Sequence, residues 1–126
     1  MTTNEHKQLD LFPYLDFDEY QAFDEYQNWT DTTEVYSGNQ GSYFYPILGL
    51  VSEVGELAAL LKREIRGDNE KHFREKMVKE LGDCLWYLAR VAKEEEISLS
   101  EVVAGNIKKL DSRKERNILK GSGDDR

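Results

Sequence analysis

The chain has 126 residues, 39% of them apolar, and 25 acidic side chains against 17 basic ones leave a net charge of -8. That length suits one domain with a modest core, for which help from a second subunit would be unsurprising. The charge argues against a protein that grips nucleic acid by its phosphates, and the lone cysteine, Cys84, excludes a disulfide framework or a thiolate metal cage.

The N-terminal stretch "MTTNEHKQLDLFPYLD" has no basic segment followed by an apolar core. No apolar run approaches the roughly 20 residues of a membrane span, so the expectation is a soluble, cytoplasmic protein without a membrane partner. Residues 1–15 read as a polar arm. Asp16 is a plausible N-cap for a first, aromatic and rather wet helix that carries Phe17, Tyr20, Phe23 or Asp24, Gln27 and Asp31 on successive turns. "SGNQGS", 37–42, breaks the pattern. Pro46 then suits a first helical turn, and the apolar run Leu48, Val51, Val54, Leu57, Leu61 and Ile65 ends at Gly67, a natural C-cap.

The third segment, from about Glu70 to Glu96, carries Phe73, Met77, Leu81, Cys84, Leu88 and Val91 as one continuous stripe. "SLSE", 98–101, is a capping box that opens a fourth helix with Val102, Val103, Ile107 and Leu110 on its apolar side. The glycine-containing tail, 117–126, is expected to be loose unless a ligand or a partner subunit holds it. No β-alternation and no internal repeat appears. The fold class is therefore all-α, an antiparallel helical bundle of about four main helices with its domain at 16–116.

Two features resist a purely structural reading. Glu53 and Glu56 lie in the second apolar run and Glu80 and Asp83 in the third, each pair three residues apart with a glycine, Gly55 or Gly82, between its members. Acids at that spacing project from one helix face with Cβ atoms roughly 5 to 6 Å apart and repel each other. Within an apolar run they lose hydration as well, at a cost of several kcal/mol per uncompensated ion. Asp16 with Glu19 and Asp31 with Glu34 repeat the spacing, but in polar surroundings. A glycine inside each helix costs about 0.5 to 1 kcal/mol relative to alanine, which suggests that a backbone or a ligand comes close there.

Four oxygen-only ligands converging between antiparallel helices make a hard-cation site, suited to Mg²⁺ or Mn²⁺ rather than zinc. The histidines, His6 and His72, are poorly placed to join, and His72 reads as a surface residue near a helix start. Such an ion normally binds a polyphosphate too, which explains how an acidic protein accepts an anionic substrate.

The elements "SEVGELAALLKR", "KELGDCLWYLARVA", "NIKKLDSRKERN" and "GSGDDR", in that order, resemble the MazG-like nucleotide pyrophosphohydrolases, whose signature is E-x-x-E followed by E-x-x-D. The resemblance runs from about Tyr20 to Arg126. It implies a Mg²⁺-dependent enzyme, with Mn²⁺ as a substitute, that hydrolyses a nucleoside triphosphate to the monophosphate and pyrophosphate. It also implies a homo-oligomer, dimer or tetramer, and makes Glu53, Glu56, Glu80 and Asp83 the metal ligands and catalytic carboxylates, with Glu53 or Glu56 available as general base.

Further substrate contacts are assigned on position. Tyr87 lies one turn beyond Asp83; Asn106, Lys109 and Arg113 form a polar stripe on the fourth helix suited to phosphate oxygens. Trp29, Tyr26 and Gln27 are candidates for stacking on and reading the base, and the tail for closing over the site. Two competing readings are a non-catalytic helical oligomerisation module and a nucleotide-binding regulatory module without turnover.

Overall fold

The computed structural model describes residues 17–38 and 41–126. The predicted arm and the Asp16 cap lie outside them. Every regular element among the described residues is helical.

A turn of 3-10 helix, Phe17–Tyr20, leads into α1, Gln21–Trp29, which gives way to a second such turn, Thr30–Thr32. The helix is shorter than its sequence pattern suggests because threonine hydroxyls bond back to the backbone. Thr30 Oγ1 donates to the Gln27 carbonyl at 2.6 Å and Thr32 Oγ1 to the Trp29 carbonyl at 2.8 Å.

α2, Tyr45–Arg66, begins with Pro46 in its first turn and ends as expected at Gly67. That glycine takes the left-handed φ of 89°, and the Gly67 and Asp68 amides return to the Glu64 and Arg63 carbonyls at 3.0 and 3.1 Å, a Schellman close. α3, Phe73–Glu94, follows His72, whose side chain is exposed as expected. α4, Leu99–Glu115, opens with Ser98 Oγ accepting the Glu101 amide at 3.2 Å, as the capping box requires.

α2 and α3 form the most extensive packing contact, an antiparallel hairpin; α1 lies against α3 and α4, while α2 and α4 are not neighbours. Gln27 ties α1 down. Its amide nitrogen donates to the Ala89 and Ile97 carbonyls at 3.3 and 2.9 Å, and its oxygen accepts from the Leu99 amide at 3.0 Å. Asp24 holds the start of α4, accepting from the Ser100 amide at 2.8 Å and the Ser100 hydroxyl at 2.7 Å. Buried Arg90 donates to Tyr36 Oη at 3.1 Å and pairs with Asp31, an ionic tie the sequence pattern did not expose.

The fully buried apolar set is small: Leu60, Leu99, Ala89 and Ala104 are its centre. The apolar stripes that periodicity suggested as core are only partly covered: Leu57 on α2 and Phe73, Met77, Cys84 and Val91 on α3 are half-buried, and the rest are open. Val51 is 68% exposed and Ile65 87%, with Val54 and Leu61 also open, and on α3 Val78, Leu81, Leu85 and Leu88 are exposed. Helical geometry gives the reason. At about 100° per residue, Glu53, Leu57 and Leu60 share the α2 face that meets α3, while Val51, Val54 and Ile65 stand a quarter-turn or more round the helix. On α3 the inward face is Met77, Glu80, Cys84 and Tyr87, and the open stripe is displaced in the same rotational sense. Two antiparallel helices so arranged present both open stripes on one side of the hairpin.

The tail folds back onto α4. Arg126 donates to the Ile118, Leu119 and Gly123 carbonyls at 3.3, 3.2 and 2.5 Å, and Arg116 donates to the backbone oxygen of Arg126 at 3.0 Å.

Candidate metal centre

The hairpin brings a carboxylate from α2 close to two from α3. One oxygen each of Glu53, Glu80 and Asp83 lies within 4.8 Å of the others; Glu53 and Glu80 are half-buried and Asp83 is exposed. Glu56, the fourth predicted ligand, is exposed and stands outside this group, although its charge still bears on Glu53. Loss of hydration pushes the Glu53 carboxyl above its usual range, and the negative charges of Asp83, Glu80 and Glu56 push it further. Among the described residues no lysine or arginine pairs with any of the four. By its chemistry, a partly desolvated, uncompensated cluster of oxygens could hold a hard divalent cation.

Cys84 does not alter that preference. Its thiol is raised by burial and then by Glu53, Glu80 and Asp83, so it stays neutral beside the cluster rather than offering a soft thiolate.

Aromatic side chains flank the acids. Tyr87 lies over Gly49: a Cβ added there would come within 2.1 Å of its ring. This close approach, the reason for a glycine in the first half of α2, was not anticipated, though a glycine inside an apolar helical run was its visible signal. Burial raises the Tyr87 phenol, with Tyr45, Glu53 and Asp83 adding to it. Tyr45 in turn stacks on Tyr36 at 4.5 Å between ring centroids. On α1, burial and then the charge of Asp83 raise the Tyr26 phenol, and Trp29 stacks on Tyr26 at 5.8 Å. Trp29 remains half-exposed. By contrast, a Cβ at Gly55 or Gly82 would meet nothing within 4 Å, so no close neighbour among the described residues explains either glycine.

Gln27 needs a correction. It is buried, and both ends of its amide are spent on backbone groups of α3 and the α3–α4 junction, which leaves it nothing to read a base with. Asn106, Lys109 and Arg113 are not brought to the carboxylates within one chain. They line a separate cavity of about 760 Å³ between α4 and the tail, where Lys109 and Arg113 each reach Asp124 Oδ1 at 3.3 Å.

The family model for the MazG nucleotide pyrophosphohydrolase domain matches residues 46–117 of this sequence, a span that holds all four predicted carboxylates. The chain is also similar to the Gene 37 protein of Mycobacterium phage L5, at 41% identity over 85 residues that cover 65% of this chain and 75% of that protein. No solved structure matches.

Proposed function

Because the chain belongs to the MazG nucleotide pyrophosphohydrolase domain family, we propose that it hydrolyses a nucleoside triphosphate to the monophosphate and pyrophosphate with Mg²⁺, or Mn²⁺ in its place. The observation that carries this reading is the three-carboxylate cluster across the hairpin, in which the Glu53 carboxyl is raised by burial and by its acidic neighbours and no cation among the described residues pairs with the group. Bound there, the ion would neutralise phosphate charge and make a water nucleophilic near neutral pH. The chain's own residues then have separate tasks. Glu53, Glu80 and Asp83 would hold the cation, with Glu56 at the exposed edge, and Glu53 or Glu56 would accept the proton of the attacking water. Tyr87, fixed by its seat over Gly49, orients phosphate or sugar. The Tyr26 and Trp29 pair offers a stacking surface for the base.

The open apolar side of the hairpin supports a homo-oligomer, dimer or tetramer. So long a run of exposed aliphatic side chains on two helices is the usual mark of a surface that a second copy covers. The test is pyrophosphate release from a panel of ribo- and deoxynucleoside triphosphates with and without Mg²⁺ or Mn²⁺, using wild type and Glu56→Gln. Metal-dependent release that the variant loses supports the assignment. Release that survives in the variant removes Glu56 from the machinery, and no release together with no effect of metal on melting leaves the oligomerisation module as the better reading.

A further inference from the structure

The seam between α2 and α3 is layered at intervals of one helical turn. Glu53 and Asp83 meet in one layer. One turn back along α2 and one turn on along α3, the Tyr87 ring occupies the space that Gly49 leaves. A further turn back on α2 stands Tyr45, whose hydroxyl is hydrogen-bonded to that of Tyr87 and whose ring lies 6.5 Å from it between centroids. Tyr45 stacks on Tyr36 at 4.5 Å with 18° between the ring planes. Tyr36 is 3% exposed, and its hydroxyl accepts from Arg90 Nε at 3.1 Å and donates to Glu94 Oε1 at 3.3 Å. Arg90, 4% exposed, lies two turns beyond Asp83 on the same face of α3. The contacts therefore leave α3 at Arg90, cross the segment ahead of α2, and return to α3 at Tyr87 beside the carboxylates.

We propose that Arg90 is a positioning residue for the carboxylate centre: through the stacked Tyr36 and Tyr45 rings it fixes the ring and hydroxyl of Tyr87 beside Glu53 and Asp83. Tethering the segment to α3 does not require the bond to Tyr36. Arg90 Nη1 already donates to Thr30 Oγ1 at 3.3 Å and pairs with Asp31, and Lys93 donates to Asn28 Oδ1 at 3.3 Å. The guanidinium divides its edges, Nη1 to the tether and Nε to Tyr36, which an ammonium in the same place does not do. Gly49 gives the Tyr87 ring room but no polar partner, so the direction of its hydroxyl comes from Tyr45. Tyr45 is itself 45% exposed and takes its orientation from the buried ring it stacks on. The inference deepens the pyrophosphohydrolase reading and rests on it for the effect on turnover, while the placement of Tyr87 stands apart from that reading.

The test has a structural arm and a kinetic one, both on the full chain. In the first, fluorotyrosine replaces Tyr87 and its fluorine resonance is recorded without substrate. Arg90→Lys, which keeps the charge beside Asp31, and Tyr45→Phe, which keeps the stack, are each expected to shift or broaden that resonance. Lys93→Met, which cuts a tether that does not run to Tyr36, is expected to leave it in place. In the second, kcat and KM for the best triphosphate are measured for Arg90→Lys and Tyr45→Phe, with Tyr87 and with Tyr87→Phe. Each is expected to lower kcat by about fivefold, the scale of one neutral hydrogen bond, and to lower it little further once the Tyr87 hydroxyl is gone. The proposal is overturned if the resonance ignores Arg90→Lys, if Lys93→Met moves it equally, or if the loss in kcat is the same in both backgrounds. A wild type without turnover sinks the pyrophosphohydrolase reading alone, since the fluorine resonance still decides whether Arg90 places Tyr87.

Discussion

Replacing Glu53 with glutamine should stabilise the protein without metal and cost it the stabilisation that metal confers. Two unit charges at 4.8 Å, the upper limit of separation within the cluster, repel by about 0.9 kcal/mol at the dielectric of water and by about 3.5 kcal/mol at an effective value near 20. Glu53 faces two such neighbours, but Asp83 is exposed and the cluster opens to solvent, so the sum stays near the aqueous limit, roughly 1 to 2 kcal/mol. For a chain of this size that corresponds to a rise in Tm of roughly 5 °C at pH 7 in chelator.

The pH dependence has a definite sign. A carboxyl whose folded pKa is raised binds its proton more tightly in the folded state, so its contribution is present below the ordinary pKa and lost as pH rises through the folded value. Wild type should therefore gain on Glu53→Gln as pH falls from 7 through the raised value toward the ordinary glutamate range near 4.3. Saturating Mg²⁺ at about a hundred times its dissociation constant should then stabilise wild type by about 2.7 kcal/mol and the variant by much less, reversing their order. Thermal melts at one fixed protomer concentration, with chelator and with Mg²⁺, check this. A variant that melts below wild type in chelator would refute the claim that the glutamate is uncompensated.

Substitutions at three other places probe the surroundings. Gly49→Ala places a methyl within 2.1 to 2.5 Å of three Tyr87 ring atoms and should cost about 1 to 3 kcal/mol in denaturant unfolding; adding Tyr87→Ala should restore most of that loss. Gln27→Met keeps the side chain's size but removes its hydrogen bonds to the Ala89 and Ile97 carbonyls and the Leu99 amide, for an expected loss of about 2 kcal/mol; unchanged stability with altered base preference would return Gln27 to the substrate. Val54→Lys with Leu81→Lys sets charges on the open side of the hairpin and should weaken self-association by roughly tenfold or more in sedimentation while helix content by circular dichroism is kept.

What was legible in the sequence was what acts within a turn or two. Pro46, Gly67 and the Ser98 to Glu101 box set helix ends through bonds to adjacent residues, and the helices start and stop there. The acid pairs were visible because a charge in an apolar run is conspicuous, and three of the four side chains do meet. Gln27 and Arg90 were not visible, because their partners lie some 60 residues away and a buried polar residue looks like any surface one until the fold supplies its acceptors.

The apolar stripes were legible in one respect and misleading in another. A period of 3.6 reports which side chains leave water and says nothing of what covers them. Leu48, Val51, Val54, Leu61 and Ile65 were read with Leu57 as one core face, but α2 presents two distinct sides. One meets α3 and is centred on Glu53, with Leu57 and buried Leu60 beside it; the other is apolar and open. The glutamate therefore does not interrupt a core. It occupies the seam of the hairpin, where a facing pair of acids gives it a use, while the aliphatic side chains are turned to another surface. Gly55 and Gly82 belong to that second side, about 200° round their helices from Glu53 and Glu80. Nothing among the described residues approaches either one, so the close neighbour that a glycine inside each helix suggested is not found among them.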